Sequence, residues 1–222
     1  MRDTGAGPGP GAGAATTTPP PGEPGRIILV NGTSSSGKTT LIHALQAVLA
    51  EPWLEIGIDT FVFALPKRYL DQPGWSEVFR YVRPGGRADG PFTIEPGPLG
   101  EQLVAGMHRS VAALALAGSD VIVDHVLLHR AWLDDCIRLW EPFRVLFVGV
   151  RCPLAVVEER ERSRRDRTLG QAAAQLEVVH RWGGYDVEVD TSVLSPGQAA
   201  RRVAQAVSAG FPRTPFQGVT RS

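Results

Sequence analysis

Residues 26–50 read RIILVNGTSSSGKTTLIHALQAVLA, and this stretch decides the fold. Four apolar residues, Ile27, Ile28, Leu29 and Val30, form a strand, and from residue 38 to 50 apolar side chains recur at helical spacing. Between them GTSSSGKT, residues 32–39, is a phosphate-binding loop in the setting such a loop requires. Gly32 and Gly37 let the backbone curl, which turns the N–H groups of Thr33, Ser34, Ser35 and Ser36 toward phosphate oxygens. The positive end of the next helix faces the same anion. Lys38, one of only two lysines, reaches the β- and γ-phosphates, and Thr39, with Thr40 beside it, supplies a hydroxyl to Mg²⁺.

Beyond this loop, strand-like and helix-like stretches alternate. Strands are expected at 26–31, 54–58, 120–124, 143–150 and 186–190, and helices at 38–50, 98–117, 130–140, 153–164, 169–181 and 196–209. Such alternation predicts a three-layer α/β/α P-loop kinase fold with a five-stranded parallel sheet. A single domain is expected over 26–210. Residues 1–25, nearly all Gly, Pro, Ala and Thr, are expected to be a disordered leader, and 211–222 a loose tail. Segment 66–97 breaks the alternation with its prolines and glycines and reads as an irregular insertion. Its aromatic residues Tyr69, Trp75, Phe79, Tyr81 and Phe92 suit a segment that covers a substrate.

Composition excludes several classes of function. The chain has 222 residues with 23 basic and 23 acidic side chains, so it lacks the positive excess of a nucleic-acid-coating protein. No apolar run approaches the roughly 20 residues that span a bilayer, so no membrane partner is expected. The two cysteines, Cys136 and Cys152, have neither disulfide-framework nor CxxC spacing, which points to a reducing cytoplasmic setting.

In an open parallel sheet, ligands gather beyond the carboxyl ends of the strands. Asp59 and Asp124 lie at two such ends and converge on the γ-phosphate. Asp59 is expected to act as base toward an accepting hydroxyl, and Asp124 to stand on the metal side; a cap or turn role is the alternative for each. RERSRRDR at 160–167 is the densest charge in the chain, and Arg160, Arg164 and Arg167 would fold over a triphosphate as a lid; a solvated helix face laced with Glu158, Glu159 and Glu161 is the alternative. EVDTS, with Thr191, lies on the same edge and would pack against a purine. His125 and His129 have the spacing of a metal pair, but no third ligand is apparent, and His180 reads as structural.

These motifs resemble the chloramphenicol phosphotransferase family. The likeness covers about 26–190 and rests on ILVNGTSSSGKTT, EPWLEIGIDT, VIVDHVLL, VLFVGVRCPLAVVEERERSRRDR and VVHRWGGYDVEVDTS. It implies ATP-dependent phosphorylation of a hydroxyl on a small molecule. It further implies Asp59 as base, Gly37, Lys38 and Thr39 at the nucleotide, and Arg164 and Arg167 as lid arginines. Where the antibiotic-modifying family has a second Asp after the strand carboxylate, this chain has His125. Chloramphenicol is the first acceptor to test, although Arg68, Arg80, Arg83 and Arg87 would also suit an anionic alcohol. A nucleotide-dependent switch is the competing class; the absence of an NKxD motif speaks against a GTPase.

Overall fold

The opening apolar run becomes β1 (Ile27–Asn31), fully buried at the centre of a sheet with strand order β2-β5-β1-β6-β7. A computed structural model describes residues 22–83, 92–163, 170–212 and 215–219. The other strands are β2 (Trp53–Gly57), β5 (Asp120–His125), β6 (Val145–Arg151) and β7 (Val187–Asp190). All pairings in this sheet are parallel, and the central strands β5, β1 and β6 are near-continuous apolar runs buried on both faces.

Alternation along β1 sorts the core into two layers. Ile27 and Leu29 face α3 (Pro98–Leu116) and α4 (Arg130–Trp140), while Ile28 and Val30 face α1 (Lys38–Gln46) and α7 (Pro196–Ala209). The helix α7 starts on a capping box, with Ser195 and Gln198 exchanging side-chain and backbone hydrogen bonds and Pro196 in the first turn. The remaining helices are α2 (Ile58–Val62), α5 (Leu154–Ser163) and α6 (Gln171–Val179). This is the three-layer arrangement expected from the sequence.

Three expectations change. The insertion is not irregular in its described part: it forms two short 3-10 turns and an antiparallel hairpin of β3 (Phe79–Val82) and β4 (Thr93–Pro96). Cross-strand aromatic packing supplies the reason, with Tyr81 edge-on to Phe92 at 5.2 Å. The tail is not loose at 215–219, because Phe216 and Val219 are buried against Phe147 and its neighbours. Burying an aromatic ring there stabilises by roughly 1.5–3 kcal/mol, enough to hold a short segment. At the other end, Gly25 already belongs to the domain, its N–H donating to Ala115 O at 2.7 Å. Leader residues 1–21 lie outside the described residues.

Candidate active site

The phosphate loop follows β1 and takes two left-handed backbone positions, Ser35 (φ 59) and Gly37 (φ 90). Gly32 is required for another reason: a Cβ there would stand 2.8 Å from Val150 O. Lys38 is 6 % exposed; its Nζ donates to Thr33 O at 3.0 Å and lies 3.6 Å from Asp124 Oδ1. Thr39 Oγ1 donates to Asp124 Oδ2 at 3.1 Å. The loop lysine, its following threonine and the β5 carboxylate therefore meet at one point. The buried hydroxyls of Ser35 and Ser36 have no hydrogen-bond partner among the described residues, which leaves polar capacity in the loop for an anion.

Two braces hold the loop. On one side Ser36 O accepts from Thr191 Oγ1 at 2.6 Å and from Arg160 Nη1 at 3.4 Å, while Arg160 Nη2 donates to Thr191 O at 2.8 Å. On the other, Thr33 Oγ1 donates to Ala172 O at 3.0 Å, and Ser34 N donates to Gln175 Oε1 at 2.5 Å. The buried carboxylate of Glu161 secures the start of α6 by accepting from Gly170 N and Ala172 N.

The end of β5 is fixed from below. Asn31 Oδ1 accepts from Leu127 N at 2.9 Å, and Asn31 Nδ2 donates to Val179 O and Tyr185 Oη. A chain of Asp135, His108 and His125 supports the same segment, with His108 Nδ1 at 2.9 Å from Asp135 and His108 Nε2 at 2.9 Å from His125 Nε2. Burial lowers the pKa of His108 against the pull of Asp135, and burial beside His108 lowers His125 well below the usual value. Two ring nitrogens at this separation form a hydrogen bond when one donates to the other, and burial disfavours the charged form of both rings. Cys136 Sγ lies within 4.8 Å of these nitrogens, but their 2.9 Å separation is a hydrogen bond; two nitrogens on one zinc ion stand about 3.3 Å apart. The metal pair of His125 with His129 does not form, since His129 packs edge-on against Trp132 at 4.7 Å instead.

Around this point opens a cavity of about 830 Å³. Ser34, Ser35, Gly37, Lys38, Thr39 and Thr40 line one end, together with Asp124. Asp59 also lines the cavity, from the first turn of α2 just past β2, and is exposed. The far end is walled by the insertion, through Leu70, Trp75, Phe79, Tyr81 and Ile94, and by Trp132, whose Nε1 donates to Glu101. Arg160 and Thr191 do not line the cavity; they stand behind the loop. Arg68, Arg80 and Arg83 are not in its lining either, and Arg68 and Arg83 stack over Tyr69 and Phe92. Arg87, Arg164 and Arg167 lie outside the described residues.

Sequence reasoning missed Gln175, Asn31, His108 and Asp135. For Gln175 a signal existed: Gln171 and Gln175 are one helical turn apart and both line the cavity. The other three declare themselves only through partners distant in the chain.

Comparisons with known proteins agree with this geometry. The family model described as chloramphenicol phosphotransferase-like protein matches residues 25–208. A protein of Mycobacterium tuberculosis (strain H37Rv), provisionally named an O-phosphotransferase, is 36% identical over 187 residues, 83% of each chain. Among solved structures, the M. tuberculosis APS kinase in complex with AMPPNP and APS matches with a TM-score of 0.58 at 14% identity, over 84% of this chain and 99% of that one. The Deinococcus radiodurans tunicamycin resistance protein matches at 0.55 and 22% identity, over 86% and 99%. These two likenesses speak for the fold. With the loop, the carboxylates and the match along nearly the whole domain in agreement, this chain belongs to the chloramphenicol phosphotransferase-like family and is a kinase that phosphorylates a small molecule.

Proposed function

We propose that the enzyme moves the γ-phosphate of ATP, with Mg²⁺, to the hydroxyl of a neutral small alcohol bearing an aromatic or apolar body. One observation carries the acceptor class: the far wall of the cavity is aromatic and aliphatic, and Lys38 is the sole cationic side chain among its described lining residues. Asp59 and Asp71 on that side would repel an anionic acceptor. The four insertion arginines suggested by sequence give an anion little support, because the three that are described do not line the cavity.

The backbone of Gly37, Lys38 and Thr39, with the Lys38 ammonium, would grip the triphosphate. Arg160 and Thr191 would act by holding the loop carbonyl of Ser36 in place. Arg164 and Arg167 would close over the phosphates and offset developing charge. Thr39 Oγ1 and Asp124 already converge as hard oxygen donors, which fits Mg²⁺. When bound, that ion neutralises charge on the phosphate chain. Asp59 accepts the hydroxyl proton as the alcohol oxygen bonds to the γ-phosphorus; the bond from that phosphorus to the β,γ-bridging oxygen breaks and ADP leaves.

Chloramphenicol, a neutral molecule whose primary hydroxyl is on a side chain of an aromatic ring, is the first acceptor to assay. Should it be the substrate, expression of this chain in a sensitive host raises the antibiotic concentration tolerated. Among the described residues no helix is long and apolar enough to cross a membrane. Free buried thiols at Cys136 and Cys152 fit a reducing cytoplasm. The test is purified protein with ATP, Mg²⁺ and chloramphenicol, read as phosphorylated product and compared with Asp59→Asn.

A further inference from the structure

Gln175 reaches the phosphate loop from α6. It is 4 % exposed and lines the cavity. Its Oε1 accepts from Ser34 N at 2.5 Å and lies 3.1 Å from Thr33 Oγ1. A backbone N–H only donates, so the amide oxygen must be the atom facing Ser34, and this fixes the orientation of the whole amide. Nε2, with its two N–H donors, is then turned away from the loop backbone and has no acceptor among the described residues. The side chain thus occupies one loop donor and offers two of its own in the cavity.

The position of those donors matters. Ser34 is on the cavity side of the loop, with Lys38, Asp124 and Asp59, whereas the Ser36 carbonyl is turned to Arg160 and Thr191. Gln175 lines the same cavity as Ser34, Lys38, Asp124 and Asp59, so its amide shares the space in which a phosphate and an acceptor would meet. Helix α6 is rigidly placed there, because Thr33 Oγ1 bonds Ala172 O and Glu161 holds Gly170 and Ala172. A preorganised donor in a mostly buried position needs no reorganisation when charge arrives.

We infer that Gln175 donates an Nε2–H to the terminal phosphate of bound ATP, so that α6 reads whether a γ-phosphate is present. This rests on the ATP-binding reading of the loop, and the experiment separates the two. ATP and ADP affinities are measured by calorimetry on the full chain, for wild type and for Gln175→Glu. The glutamate keeps an acceptor oxygen for Ser34 N–H and Thr33 but replaces the donor amide with negative charge. The ATP Kd is expected to rise at least about tenfold while the ADP Kd changes by less than about threefold. An unchanged ATP-to-ADP ratio, whether both affinities hold or both weaken by the same factor, shows that Gln175 is only a strut and overturns the inference. Because the glutamate's charge by itself repels a γ-phosphate, Gln175→Met, uncharged and without donors, must show the same selective loss of ATP, and equal weakening of ATP and ADP there marks only the lost acceptor for Ser34 N. Wild type that binds neither nucleotide strikes the loop reading itself.

Discussion

The two ends of the cavity are built in different ways. At the nucleotide end, the polar groups are tied to one another, from the buried Ser34 N with Gln175, through Ser36 O with the half-buried Thr191 and Arg160, to the exposed Thr39 with Asp124. At the acceptor end, Asp59 and Phe63 are exposed, and the wall is a small hairpin with aromatic packing but no pairing to the main sheet. Under the proposed function, the first is preorganised for a triphosphate. The second depends on shape and apolar contact, which a modest change of residues can retune.

That contrast breaks most easily at Asp59. Asp59→Asn is expected to lower kcat by about 10²–10⁴-fold with ATP affinity within about threefold of wild type, checked by steady-state kinetics and calorimetry. Equal loss of both would place Asp59 at the nucleotide. Next in size, Lys38→Ala is expected to cost about 10²–10³-fold in turnover and to weaken ATP, because the chain offers no other cation in the described lining. Trp75→Ala sharpens the comparison from the opposite side, raising the acceptor KM roughly tenfold while ATP binding stays constant. Arg160→Lys, which cannot reproduce the fork over Thr191 and Ser36, is expected to weaken ATP several-fold and leave acceptor KM unchanged.

The smallest effect is pH dependence of stability, and it too belongs to the nucleotide end. His180 bonds the Tyr185 hydroxyl, which also receives Asn31, and burial lowers its pKa to about 4. His108 is lowered for the same first reason. Their neutral forms are kept in the fold, so below about pH 6.5 the unfolded chain binds protons that the folded one does not. Stability is full above that value and falls as pH drops from about 6.5 toward 4. Asp186, raised by burial, works in the opposite sense near the carboxylate range. Thermal melts at about pH 7 and about pH 5 should show the lower Tm at the lower pH.

Much of this was legible in the sequence because the relevant forces are local. A strand, loop and helix with glycines at 32 and 37 specify a phosphate site from one continuous stretch, and the strand and helix positions follow hydrophobic period. The hairpin at 79–96 was hidden because its pairing is stabilised by Tyr81 against Phe92, a contact that no periodicity announces. Phe216 and Val219 read as tail because what buries them lies far back in the chain. The loop's supports were hidden for the same reason: 141 residues separate Ser34 from Gln175, and 155 separate Ser36 from Thr191.

The most direct measurement is a mass spectrum of purified protein incubated with ATP, Mg²⁺ and a panel of neutral aromatic alcohols, sugars and anionic alcohols. The proposed function predicts a gain of one phosphoryl group on a neutral aromatic alcohol, lost in Asp59→Asn. Product on anionic alcohols alone, or ATP consumed with no phosphorylated acceptor in any sample, would contradict it.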